Sequence, residues 1–232
     1  MYLKQINADI NPEGSGSLSP LNVNDFKSKM AGDSLVLDTR SAAEFSNGFI
    51  PGSIFIGLEG RFAEWARSIL SYHLPIILVT DFGKEEETVI RLASSGFTKV
   101  EGYLSGGFES WKQAGEKIDI IIDIEADEFA MDIPFDDNLI IVDVREENEF
   151  NEGHVKDAIN LPLTDMTDIA QIAQLEETQN IYLHSASGYR SLIAASVLKK
   201  QGYHNIRNVV GGWVKIKEQN AIKTEKEARI LN

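Results

Sequence analysis

The chain has 232 residues, 43% hydrophobic and 25% charged, with 22 Lys+Arg against 36 Asp+Glu and a formal net charge of −14. That length suits one large domain or two of about 100–120 residues, and the acidity excludes a general nucleic-acid binder, which needs a basic face. No apolar run approaches the roughly 18–20 residues that cross a bilayer; with no cysteine and four scattered histidines (His73, His154, His184, His204), no disulfide, metal site or cofactor is expected.

Residues 1–16 are polar, lack the apolar core of a signal peptide, and read as an N-terminal arm of a cytoplasmic protein. A first globular stretch, 17–117, opens with a short polar helix over Asn24–Lys29 and an apolar strand over Ser34–Leu37. Asp38-Thr39-Arg40 follows, then a small helix carrying Glu44-Phe45, a turn over Gly48–Gly52 and a short strand at Ile54. A helical stretch, a buried strand over Ile76–Val79, a loop and a helix closed by Gly96 complete the unit, with Gly106-Gly107 near its end. The second stretch, 118–220, repeats this order: a helix over Ala126–Met131, a strand over Leu139–Val142, a buried strand over Asn180–Leu183, a loop, and a helix closed by Gly202. Residues 221–232 read as a tail, within a charged run from Lys215 to Arg229 expected as a solvated helix or frayed end.

The two stretches are copies of one unit at an offset of 105 residues, which carries Asp38 onto Asp143. Arg40 then falls on Arg145, Glu44-Phe45 on Glu149-Phe150, Ile54 on Ile159, Gly83 on Gly188, and Gly106-Gly107 on Gly211-Gly212. Solenoid repeats run about 20–50 residues, so a period this long means two domains. Alternating strands and helices predict an α/β fold in which each copy is a mainly parallel five-stranded sheet with helices on both faces. Ligands in such folds collect at the C-terminal ends of strands.

One such end carries the candidate site. The run Ser185-Ala186-Ser187-Gly188-Tyr189-Arg190-Ser191 joins a buried strand to an apolar helix, and aims backbone N–H groups and a helix N-terminus at one small volume. Gly188 permits the turn, Arg190 offers forked donors to an oxyanion, and Ser191 suits a helix N-cap. Asp143, Arg145, Glu149 and His154 read as structural, the first two pinning the loop beyond their strand. His184 precedes Ser185 on the strand and faces the opposite side, which makes it a poor base for that hydroxyl. Trp65, Trp111 and Trp213 read as packing residues.

These residues resemble the rhodanese superfamily, in particular tandem rhodanese-like proteins. Asp143-Val-Arg145, Glu149-Phe150 and Gly153 to Pro162 are similar to the family's first signature. The active loop of the family, Cys-x-x-Gly-x-Arg-Ser, reads here as Ser185 to Ser191, and Gly211-Gly212-Trp213 resembles the closing motif. The resemblance implies sulfur transfer through a loop cysteine that carries a persulfide. A serine is a poor nucleophile without a paired base and forms no stable analogue of that intermediate. The four residues between Ser185 and Arg190 match sulfurtransferases; phosphatases of similar fold have one more.

In the first copy Thr80 falls on Ser185 and Glu85 on Arg190, so this half reads as a scaffold or docking domain. Three functions are weighed. The leading one is a non-catalytic module that binds a small sulfur oxyanion or a partner protein, with no nucleic acid or membrane involved. The second is an active sulfurtransferase in which Ser185 is an engineered or variant residue. The third is the C-terminal region of a persulfide dioxygenase or hydrolase behind an upstream metallo-β-lactamase-fold domain.

Overall fold

In the computed structural model, which describes residues 18–226, each copy builds its own parallel sheet. The first unit runs β1 (Pro20–Leu21), α1 (Val23–Ala31), β2 (Leu35–Asp38), α2 (Ala42–Asn47), β3 (Ile54–Phe55), α3 (Phe62–Ile69), β4 (Ile76–Val79), α4 (Glu85–Ser94), β5 (Val100–Leu104) and α5 (Gly107–Gln113). The second runs β6 (Ile122–Ile124), α6 (Ala126–Asp132), β7 (Leu139–Asp143), α7 (Glu147–Glu152), β8 (His154–Val155), β9 (Ile159–Asn160), α8 (Ile169–Ile172), β10 (Asn180–His184), α9 (Tyr189–Lys200), β11 (Ile206–Val209), α10 (Gly212–Ile216) and β12 (Thr224–Glu225). The strand orders are β1-β5-β4-β2-β3 and β6-β11-β10-β7-β9, five strands each, and every pairing within them is parallel. The predicted α/β architecture is therefore what the chain adopts.

The central strands are apolar because helices cover both faces; β4, Ile-Ile-Leu-Val, is buried along its whole length. Local chemistry places the small helices. Ser41 and Glu44 form a reciprocal capping box at the start of α2, and Glu146 and Glu149 do the same at α7.

The units share one core. Helix α9 is buried from Ser191 to Leu198, packing on its own sheet and on β3 of the first unit. Phe55 donates its backbone N–H to Ser196 Oγ at 3.0 Å, and Lys199 pairs with Asp119 at 3.0 Å. The segment between the units is also pinned: Phe49 and Asp119 exchange backbone hydrogen bonds, and Ile121 N–H donates to Ser46 O.

The C-terminal run departs from expectation. Helix α10 ends at Ile216, Ile222 is buried, and Thr224–Glu225 pairs antiparallel with His154–Val155. Residues up to 226 thus pack back onto the second unit, because Ile222 supplies an apolar anchor within the charged run. The arm expected over 1–16 and the last six residues lie outside the described region.

Candidate functional site

Asp143 and Arg145 form the frame beneath the site. Arg145 donates through Nε and Nη2 to the Asp143 carboxylate, the shortest contact being 2.5 Å, and its Nη2 also reaches Gly153 O at 2.7 Å. The guanidinium lies over the Trp213 ring at 4.7 Å. Two charges nearly closed to water are tolerable only when paired and fully hydrogen-bonded, as here. The first unit repeats the device: Arg40 binds Asp38 and Gly48 O, and lies 4.2 Å over the Phe108 ring. Asn160, which the sequence reading did not single out, ties down this corner by donating to Asp143 O and Arg145 O.

Above this frame the Ser185–Ser191 loop turns from β10 into α9. Gly188 sits at φ +94°, a left-handed conformation that side chains resist. Gly212 is required by proximity: a Cβ there would lie 2.2 Å from Ser185 O. That approach lets Trp213 N–H donate to Ser185 O at 2.7 Å and Val214 N–H to Ala186 O at 3.2 Å, so α10 holds the loop's carbonyls. The amides of Ala186 and Ser187 meet no acceptor among the described residues. The first-turn N–H groups of α9 have no intrahelical partner either.

Ser185 itself is sealed, 1% exposed. Its Oγ accepts Gly188 N–H at 3.1 Å and lies 3.5 Å from Ser191 Oγ. Ser191 is not the expected N-cap: Gly188 holds that position, and Ser191 lies in the first turn, where its hydroxyl meets Gly188 O and, at 2.6 Å, Asn208 Oδ1 as a buried link. His184 is no base for Ser185. It is fully buried, its nitrogens have no hydrogen-bond partner among the described residues, its Nε2 stands 3.7 Å from Asp143 Oδ2, and its ring stacks toward Trp213. Burial holds this imidazole below its ordinary value, hence neutral.

Arg190 differs from the sequence expectation. Its fork grips Glu149 at the cavity's edge, with Nη1 and Nη2 at 2.6 and 2.8 Å from the two carboxylate oxygens. The hydrogen bonds from Arg190 hold the Glu149 carboxyl below its usual range. Glu149, in the first turn of α7, is thus the partner that fixes the rim at the start of α9. His154, placed among the structural residues, stacks on Phe150 with ring centroids 3.7 Å apart and contacts Phe150 O through Nδ1.

A cavity of about 1090 Å³ opens over the loop, between the units. The second unit contributes Ser187, Tyr189 and Arg190, and the first contributes Leu58, Trp65 and Arg91. Tyr189 spans the junction: its hydroxyl donates to Gly57 O at 3.2 Å and its ring meets Phe55 edge-on. Arg91 donates to Leu58 O and pairs with Glu87. Among the described residues no cluster of His, Cys, Asp or Glu side chains is placed to hold a metal ion. No helix there is long and apolar enough to cross a membrane.

The rhodanese-like domain family matches residues 22–114 and again 125–219. The chain is 31% identical over 142 residues to the "Putative sulfur carrier protein YrkF" of Bacillus subtilis, covering 59% of this chain and 76% of that one. It is 30% identical over 90 residues to the "Putative thiosulfate sulfurtransferase, mitochondrial" of Schizosaccharomyces pombe, covering 34% of this chain and 63% of that one. A crystal structure of a thiosulfate sulfurtransferase from Pseudomonas aeruginosa aligns with 91% of this chain and 44% of its own, at 17% identity and a TM-score of 0.40.

Proposed function

The chain belongs to the rhodanese-like domain family, with two copies of the domain in tandem, and from that premise we propose that its second domain is a binding module of sulfurtransferase ancestry that does not turn over as encoded. The single observation that carries this reading is Ser185. Persulfide chemistry needs a thiolate, whereas this hydroxyl is buried, occupied by Gly188 N–H, and has no imidazole or carboxylate in hydrogen-bond reach among the described residues. The ligand is a small sulfur oxyanion such as thiosulfate or sulfite, met by the free amides of Ala186 and Ser187 and the positive end of α9. Arg190 contributes by holding the loop to Glu149 rather than by gripping the anion. A cytoplasmic location and the absence of nucleic-acid or membrane partners belong to the same proposal.

Calorimetric titration with thiosulfate and sulfite, alongside a steady-state thiosulfate:cyanide assay, tests the reading. Saturable heat without thiocyanate is the expected result. Thiocyanate formation above background overturns the non-catalytic claim, and flat titrations with both anions overturn the ligand.

One observation favours a second reading, an active sulfurtransferase with cysteine at position 185. The 3.5 Å between Ser185 Oγ and Ser191 Oγ exceeds an ordinary O–H···O bond of about 2.7–2.8 Å. Sulfur, with its larger radius and longer bond to carbon, fills that gap. The Ser185→Cys thiolate would then attack the outer sulfur of thiosulfate, forming a persulfide as the S–S bond of thiosulfate breaks and sulfite leaves; a cysteine there that stays unmodified counts against this reading.

A further inference from the structure

Beneath the loop a line of polar side chains runs from Ser185 to the edge of the second sheet. Ser191 Oγ lies 3.5 Å from Ser185 Oγ and 2.6 Å from Asn208 Oδ1, and Asn208 Nδ2 donates to Asp123 Oδ1 at 2.7 Å. Ser185, Ser191 and Asn208 are buried, while Asp123 is exposed on the edge strand β6. Asn208 and Asp123 are direct cross-strand partners in the sheet register.

The direction of every proton in this line follows from its outer end. An ionised carboxylate only accepts hydrogen bonds, so Asp123 forces Asn208 to present its NH2 outward and its carbonyl oxygen inward. Two oxygens at 2.6 Å need a proton between them, and the inward carbonyl has none, so Ser191 donates. A hydroxyl carries one proton, and Asn208 Oδ1 at 2.6 Å and Gly188 O at 2.9 Å both compete for it, which leaves Ser191 only lone pairs to offer residue 185. Toward position 185, Ser191 is therefore an acceptor, favouring a group that keeps its proton.

We propose that Asp123, acting through Asn208 and Ser191, is a positioning residue that biases whatever group stands at position 185 toward its protonated form. The first unit has no such line: in its register Tyr103 pairs with Pro20, a residue without a side-chain acceptor. The inference rests on the reading of position 185 as the site's reactive position, and it concerns that position's proton rather than its sulfur chemistry.

The test is made in the full chain carrying Ser185→Cys, by measuring the thiol pKa from the pH dependence of alkylation by iodoacetamide. Adding Asp123→Ala frees Asn208 to turn its NH2 toward Ser191, and the Ser191 proton then passes to a thiolate at 185 in preference to the neutral Gly188 O, so the thiol pKa falls and alkylation at neutral pH rises several-fold. Adding Asp123→Lys, whose ammonium only donates, forces the rotation and gives a larger fall. Because both changes also remove a negative charge, each is repeated with Ser191→Ala. The relay requires the shift to vanish in that background, whereas a through-space charge effect persists there. An equal shift in both backgrounds, a rise in pKa, or no shift at all overturns the proposal. Asp123 is exposed, so both variants are expected to fold, and circular dichroism at each pH confirms that the thiol is read in the native state. Persulfide uptake by the same Ser185→Cys protein reports the second functional reading separately, since a thiol that never accepts sulfur still yields the pKa cycle.

Discussion

The two loops at the C-terminal strand ends share a frame and differ in the residues that lead into the following helix. Gly83 and Gly188 are both left-handed, at φ +81° and +94°, and the paired glycines Gly106-Gly107 and Gly211-Gly212 keep the same hand. In the second unit α9 begins immediately after its glycine, at Tyr189, whereas in the first Lys84 intervenes before α4. The first-unit loop thus reaches its helix one residue later and enters it through Glu85, Glu86 and Glu87. Those carboxylates suit the helix dipole but repel any anion. Phe82, at that loop's tip, is fully exposed. Duplication preserved what holds a loop in place and released what a loop is for.

The shared frame is the first thing to break. Arg145→Ala strands the fully buried Asp143 carboxylate and is expected to cost about 3–5 kcal/mol. Arg40→Ala strands Asp38 in the same way and is expected to match it. Thermal melts of the two variants check this, and a loss below 1 kcal/mol in either would remove that residue from the frame. Next comes the junction. Ser196→Ala leaves the buried Phe55 N–H without its acceptor, an expected loss of about 1–3 kcal/mol by urea unfolding. Tyr189→Phe removes one bond to Gly57 O and is expected to cost about 0.5–1.5 kcal/mol. An unchanged midpoint for both would mean that the units do not support one another.

The smallest effect at neutral pH concerns His184, which falls at the register of Val79 in the first unit. A histidine held neutral below its ordinary 6.5 contributes in full above that pH, and loses the contribution as pH falls toward the folded value. His184→Leu removes a buried imidazole that has no hydrogen-bond partner among the described residues. It is expected to leave stability unchanged or raised at pH 7, and to flatten the decline that begins near pH 6.5. Denaturant midpoints from pH 7.5 to 5 check the sign; a steeper acid limb in the variant contradicts it. Glu149 works in the same direction at lower pH. Its carboxyl is held below the ordinary range by Arg190, so its contribution persists until pH falls through the folded value, and Glu149→Gln should remove that part of the acid limb.

The fold was legible because its signals are local or repeated. Strand Ile76–Val79 falls where its apolar run ends, β7 and β10 run one residue further than expected, and β2 is shifted by one residue at both ends. Val142 and Val144, for example, flank an Asp143 whose burial the apolar pattern alone does not reveal, since only its pairing with Arg145 permits it. The site was legible as a segment but not as a set of contacts. Glu149 as the partner of Arg190, Asn208 behind Ser191, and Tyr189 against Gly57 are all long-range, 41, 17 and 132 residues apart. Asn208 left no clear trace, because the four-residue strand Ile206–Val209 carries a second polar residue, Arg207, beside it. The helix α9, buried on all sides, carried the clearest missed signal: a surface helix shows one apolar stripe, and Leu192–Leu198 shows none.

Sulfane-sulfur uptake by three full-length proteins, the unmodified chain, Ser185→Cys and Thr80→Cys, measured by intact mass after exposure to thiosulfate, tests most directly whether the second loop retains a working geometry without its reacting atom. A persulfide adduct on Ser185→Cys alone is the expected result. Uptake by the unmodified chain, equal uptake at position 80, or an inert cysteine at 185 in a folded protein would contradict it.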